Sequence, residues 1–224
     1  MSTFVFFHVG PDLSQPVGLV RSVRAHHPDA TIIQTTDEFT DEVPGVDRVA
    51  RFMGAVDGRL MYARVEANAA LALDHPAAYL DTDLRLERPL DIETLLRGVD
   101  IGVIKRFYHC EMPFNGRQHG GLFRDYDGRP LGELYPIVGC LVLTPNYRAW
   151  DILEDRYLQL PPRFSYWYGD QEVLRDYVRE LPAERVRLLC ESEYACLPEF
   201  VDPYRPPALV HFKGARKRIA PSNL

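Results

Sequence analysis

The run Ala77-Ala78-Tyr79-Leu80-Asp81-Thr82-Asp83 decides how this chain is read: residues suited to a buried strand stop on two carboxylates one position apart. Residues i and i+2 of a strand point to the same face, so Asp81 and Asp83 would present their oxygens side by side where the strand leaves the sheet. Two adjacent negative charges there have two explanations. Aspartate is a common turn residue, or a cation joins the pair. Hard divalent ions such as Mg²⁺ and Mn²⁺ take oxygen ligands, commonly one or two carboxylates together with substrate phosphates. The pair alone does not decide between turn and metal.

Working outward, the flanks read as alternating strands and helices. Residues 3–9 form an aromatic and β-branched run bounded by Gly10-Pro11, residues 17–25 a helix ending before Pro28, and residues 30–35 a second strand. Strand, helix, strand is the opening of an α/β domain with a parallel sheet. Residues 37–58 are rich in Asp, Pro and Gly and read as a wandering segment with a short strand near 47–52. A helix over 59–73 follows, in which Leu60, Arg64, Asn68 and Leu71 share a face. Arg64 on that line either extends to the surface or reaches an anion in a pocket.

Beyond Asp83, Leu84 and Leu86 alternate, residues 91–96 read as a brief helix, and 100–105 and 135–143 as strands. Thr144-Pro145 reads as the start of a helix carrying Trp150, Leu153 and Tyr157, and Asp170 is either the N-cap of the next helix or a functional carboxylate, roles that are compatible. Residues 186–190 and 208–210 are the last strands. Residues 107–130 follow no period and are too long for an ordinary connection, the signature of a lid or acceptor-binding loop. Glu111, Asp125 and Asp127 are its candidate acceptor contacts. No repeat or low-complexity linker divides the chain, so residues 1–224 are expected to form a single domain.

Composition narrows the function. With 46% hydrophobic and 26% charged residues in 224, the chain is long enough for one large core. A formal charge of −6 argues against a nucleic-acid binder. Cys110, Cys140, Cys190 and Cys196 lack metal-site spacing and read as small buried hydrophobes. Phe4 to Phe7 has no basic flank of a signal peptide, and no run approaches the roughly 18 apolar residues of a membrane span. A cytoplasmic location is expected, with peripheral membrane contact left open.

Three distant segments share a physical theme. Asp81 and Asp83 are hard oxygen donors, His211 follows an apolar strand, and Lys213, Arg216, Lys217 and Arg218 cluster about Gly214. A cation held by two aspartates and a histidine, with lysines and a backbone amide beyond it, suits a diphosphate.

Met61-Tyr62-Ala63-Arg64, Tyr79-Leu80-Asp81-Thr82-Asp83, Gly139-Cys140, Gly169-Asp170-Gln171 and His211-Phe212-Lys213-Gly214 with Lys217 together resemble the glycogenin-like and bacterial lipopolysaccharide galactosyltransferase family. The resemblance implies a GT-A (Rossmann-like) α/β fold: a mixed, mostly parallel sheet flanked by helices. It also implies a retaining, Mn²⁺- or Mg²⁺-dependent hexosyltransferase using a nucleotide-sugar donor, UDP-sugar favoured, and an acceptor that is a glycan, lipid-linked sugar, protein or small molecule. Residue by residue, it makes Asp83 and His211 metal ligands, with Asp81 shared between the metal and the ribose. Lys213, Gly214 and Lys217 fall at the diphosphate-binding pattern, Arg64 near the donor, and His8 near the base. Asp170 and Gln171 match the pair beside the anomeric carbon.

Two departures bear on substrate. Ile137-Val138-Gly139-Cys140 stands where the family carries a small polar triplet, and Arg218 follows Lys217 in place of Pro-Trp. The alternatives are a GT-A-like protein that binds nucleotide sugars without turnover, and a phosphohydrolase or phosphotransferase that also places DxD after an apolar strand.

Overall fold

Every residue of β1 (Thr3–Phe7) is buried, and its two sides feed different cores. Phe4 and Phe6 pack with Leu19, Val20 and Val23 of α1 (Ser14–His26), whereas Phe7 joins the cluster of Ala63, Val65 and Ala67 from α2 (Leu60–Ala70). This is the alternation of a strand buried on both faces. The same division continues through the chain, which we describe from a computed structural model covering residues 2–54 and 56–220.

The remaining strands are β2 (Thr31–Thr36), β3 (Arg48–Arg51), β4 (Ala77–Leu80), β5 (Leu84–Leu86), β6 (Ile101–Lys105), β7 (Ile137–Thr144), β8 (Val186–Cys190) and β9 (Leu209–His211). The remaining helices are α3 (Ile92–Leu95), α4 (Leu131–Leu134), α5 (Arg148–Tyr157), α6 (Arg163–Tyr166), α7 (Gly169–Glu180) and α8 (Glu191–Tyr194). Seven strands form one sheet in the order β3-β2-β1-β4-β7-β6-β8. Only β7 runs against the others, pairing antiparallel with β4 and β6. A two-stranded sheet of β5 and β9 sits beside it. The architecture is the mixed, mostly parallel α/β sheet that the sequence predicts.

Several boundaries differ from expectation, each for a local reason. Helix α1 starts at Ser14, three residues early, because Asp12 Oδ1 accepts from the Ser14 amide at 2.9 Å and organises the entry. The expected helix at Thr144-Pro145 begins instead at Arg148. Strand β7 runs on through Thr144, which pairs with Ala77, and the Asn146 side chain then accepts from Arg148 N at 3.0 Å. Asp170 is not an N-cap. Helix α7 opens at Gly169 after Tyr168, whose φ is 64°, and Asp170 lies buried in its first turn.

The irregular stretch 107–130 is packed. Phe114 and Phe123 form a cluster with Leu134, Tyr135 and Phe164, and the base is closed by Phe114 N donating to Arg129 O at 2.8 Å. Asp125 is spent on a two-pronged pair with Arg163, at 2.6 and 2.8 Å, and Asp127 accepts from Gly116 N at 2.9 Å. Both therefore hold the loop's own shape, while Glu111 is exposed. Of the cysteines, Cys140 and Cys196 are buried as expected, Cys110 is half-buried and Cys190 exposed; all four are free.

Candidate active site

In open α/β sheets ligands bind outside the carboxyl ends of the parallel strands, and a cleft of about 750 Å³ opens at that edge. His8 follows β1, Asp81 follows β4 and Arg106 follows β6, and all three line it. Because β7 is antiparallel, its early residues Val138, Gly139 and Cys140 lie at the same edge and complete the floor.

Asp81 and Asp83 do not share a strand face. The strand ends at Leu80 and the chain turns, with Leu84 N donating to Asp81 O at 3.1 Å. Asp81 stays in line with Tyr79, two positions earlier, whose hydroxyl donates to Asp81 Oδ1 at 2.9 Å. Burial pushes the Tyr79 phenol well above its ordinary pKa, so it remains a donor. Helix α2 packs over this face and brings Arg64, which donates to Asp81 Oδ1 at 2.9 Å and pairs through its other terminal nitrogen with Asp170. Arg64 therefore reaches into the pocket and does not extend to the surface.

Asp83 is brought to its partners by the small sheet. Leu84 pairs with His211, and Phe212 N donates to Asp83 O at 2.9 Å, which sets the two side chains together. Asp83 Oδ1 lies 3.3 Å from His211 Nε2, and Asp83 Oδ2 3.1 Å from Lys217 Nζ. Burial alone would raise the Asp83 pKa, but His211 and Lys217 hold it well below the usual carboxylate range. Burial alone would lower His211, but Cys140 and Asp83 raise it to about 10.

One ligand atom from each of Asp81, Asp83 and His211 can be chosen so that all lie within 4.8 Å of one another. Apart from the Asp83–His211 ion pair, Asp83 Oδ1 and His211 Nδ1 are buried without a hydrogen-bond partner among the described residues. Buried polar atoms without a hydrogen-bond partner call for an explanation. Two carboxylates and an imidazole, which would give up its proton to an incoming cation, are a donor set that fits a hard or borderline divalent ion.

The other expected residues fall as follows. Gly139 lies under α7, where an added Cβ would sit 3.4 Å from Asp170 Oδ2 and 3.8 Å from Gln171 Cγ, so both side chains cover the β7 floor. Asp170 Oδ1 is buried with no hydrogen-bond partner among the described residues. His8 lines the cleft with Nε2 likewise unpartnered, and burial lowers its pKa. Gly214 has φ 65° and opens a 3-10 turn through Ile219 that carries Lys217. Lys213 lines the cleft but its Nζ turns to Glu191 Oε1 at 3.2 Å, away from Asp83.

Three contributors escaped the sequence reading. The Tyr79 hydroxyl is one, and its position two residues before Asp81 was the signal that it points the same way. Arg106 directly follows a parallel strand, which places it at the ligand-binding edge. Glu191 is wholly buried and had no sequence signal.

Sheet order and cleft position are those of a GT-A (Rossmann-like) fold. No protein-family model matches the chain, and no curated protein matches it significantly. Solved structures do. The galactosyltransferase LgtC, in complex with donor and acceptor sugar analogs, is similar over 95% of this chain and 87% of its own, with TM-score 0.57 and 17% identity. Glycosyltransferase GlyE of Streptococcus pneumoniae TIGR4 is similar over 96% of this chain and 55% of its own, with TM-score 0.63 and 14% identity. The bifunctional glycosyltransferase WbbM in its apo form is similar over 95% and 46%, with TM-score 0.59 and 13% identity. At these identities the likeness is one of fold. Among the described residues no helix is long and apolar enough to cross a membrane.

Proposed function

We propose that this protein is a metal-dependent glycosyltransferase, moving a hexose from a nucleotide-diphosphate donor, UDP-sugar favoured, to an acceptor hydroxyl. The observation that carries the reading is the meeting of Asp81, Asp83 and His211 with Lys217 in one cleft at the carboxyl ends of the strands. LgtC has been seen with both donor and acceptor analogs, and we extend that two-substrate arrangement to this cleft.

Asp81, Asp83 and His211 would hold Mn²⁺ or Mg²⁺, which when bound neutralises charge on diphosphate oxygens and favours departure of the leaving group. Lys217, half-exposed and resting on Asp83, is free to swing its ammonium to the same oxygens. The Gly214 amide adds a neutral donor. Arg64 fixes the positions of Asp81 and Asp170, so that Asp170 Oδ1 presents an unused acceptor to a sugar hydroxyl, with Gln171 beside it. Lys213, engaged by Glu191, is assigned to the diphosphate only if it exchanges that partner. His8 is placed with the base. Retention of configuration and a cytoplasmic location are parts of the proposal that rest on the sequence reading, and the acceptor is left as a glycan, lipid-linked sugar, protein or small molecule.

A binding protein without turnover is the second reading. It is favoured by one feature: Val138, Gly139 and Cys140 offer the cleft neither a side-chain hydroxyl nor an amide. Thermal denaturation with a panel of nucleoside diphosphates, with and without Mn²⁺, tests the site, because a ligand bound only by the native state raises Tm. Stabilisation by one nucleotide with Mn²⁺, and slow release of sugar from the matching labelled donor, is expected for the enzyme. Stabilisation without release selects the binding protein, and no stabilisation by any nucleotide rejects both.

A further inference from the structure

Arg106 is the one arginine or lysine lining the cleft, among the described residues, without a carboxylate at ion-pair distance. Arg64 has Asp81 and Asp170, Lys217 has Asp83, and Lys213 has Glu191. Its guanidinium is pinned by one edge, Nε donating to the Tyr135 carbonyl at 2.5 Å, with the terminal nitrogens left over. Glu191 acts on it through space, but both Glu191 oxygens are already used. Oε2 accepts from the amides of Phe107 and Tyr108 at 2.7 and 2.8 Å, and Oε1 from Lys213. Two cations thus stand against one carboxylate.

Removing an arginine from water without a counter-charge is costly, and here burial does lower its pKa. A planar guanidinium fork held at one edge fits a carboxylate better than a hydroxyl. The diphosphate is provided for elsewhere, by Lys217 and Gly214. We infer that Arg106 is a specificity determinant for an acidic sugar, its guanidinium receiving the carboxylate of either the transferred sugar or the acceptor sugar. This rests on the transferase reading above.

Calorimetric titration of the wild-type chain and of Arg106→Gln in Mn²⁺ tests it. UDP-glucuronate and UDP-galacturonate are compared with UDP-glucose and UDP-galactose for the donor. Free uronates are compared with free hexoses on the UDP- and Mn²⁺-loaded protein for the acceptor. UDP alone is the reference ligand for both proteins. The expected result is a preference of at least about tenfold for the acidic member of one set, the size a charge-assisted pair supplies. The set that shows it identifies which sugar carries the carboxylate. Arg106→Gln should abolish the preference and Arg106→Lys restore part of it. Equal affinities within both sets, or a preference that survives Arg106→Gln, would overturn the inference. Failure of UDP and of every UDP-sugar to bind would remove the transferase reading itself.

Discussion

Arg64 of α2 is paired with Asp170 of α7, and the same guanidinium donates to Asp81 Oδ1 at 2.9 Å. One cation therefore ties α7 to the carboxylate that follows the central strand β4, across a site where the Asp170 side chain is 5% exposed. Tyr79 supports the arrangement from below, with its ring 5.6 Å from the Arg64 guanidinium carbon.

Removing that cation strands two carboxylates. Arg64→Ala is expected to destabilise the metal-free protein by about 3 kcal/mol, the scale for breaking a buried ion pair from one side. Arg64→Lys should recover only part, since a single ammonium cannot span both acids with fork geometry. Urea unfolding of the three proteins checks this, and equal midpoints would show that the bridge carries no stability.

Gly169 sets the start of α7 and hence the position of Asp170 and Gln171. The Tyr157 hydroxyl passes beneath it to donate to the Phe164 carbonyl at 2.5 Å, and a Cβ at residue 169 would collide with both groups. Gly169→Ala is expected to cost about 1–3 kcal/mol through overpacking and to reduce turnover more than UDP affinity. Thermal unfolding and a sugar-release assay on the same sample check the two parts.

A half-buried acceptor makes stability depend on acid. His27 Nε2 accepts from the Leu90 amide at 2.9 Å, a role only neutral imidazole can fill, and burial lowers the His27 pKa below 6.5. In the folded state His27 binds fewer protons than in the unfolded state. Its contribution is therefore fully present above pH 6.5 and is lost as pH falls through the lowered folded value. Tm measured between pH 7.5 and 5 should fall less steeply in His27→Gln, whose amide oxygen can accept the same bond without titrating. Parallel slopes would assign the acid sensitivity elsewhere.

The alternation of apolar runs with helical patterns made the sheet legible from sequence, because a doubly covered parallel sheet needs runs rich in Val, Ile, Leu and Phe such as 4–7, 32–33 and 103–104. The candidate cluster of Asp81, Asp83 and His211 was legible for a different reason: the joint order of the three segments, and the family resemblance that it carries, drew these residues together, and the structure brings them within reach of one another. The local geometry was not. Asp83 meets His211 through the pairing of β5 with β9, residues far apart in the chain, and no local pattern encodes that register. Arg106 and Glu191 were missed for the same reason, since their meaning comes from neighbours supplied by distant segments. The 107–130 stretch looked irregular because its order comes from aromatic packing onto α6 and Tyr135, which has no period.

The central claim is that Asp81, Asp83 and His211 bind a divalent ion through which the cleft takes a nucleoside diphosphate. It is tested most directly by calorimetric titration of UDP into the wild-type chain and Asp83→Ala, each with and without Mn²⁺. Loss of a bridging divalent ion removes several charge-assisted contacts, so Mn²⁺ should tighten UDP binding by at least about a hundredfold in the wild type and have no effect in Asp83→Ala. UDP binding that ignores Mn²⁺, or a Mn²⁺ effect that survives the loss of Asp83, would contradict the account.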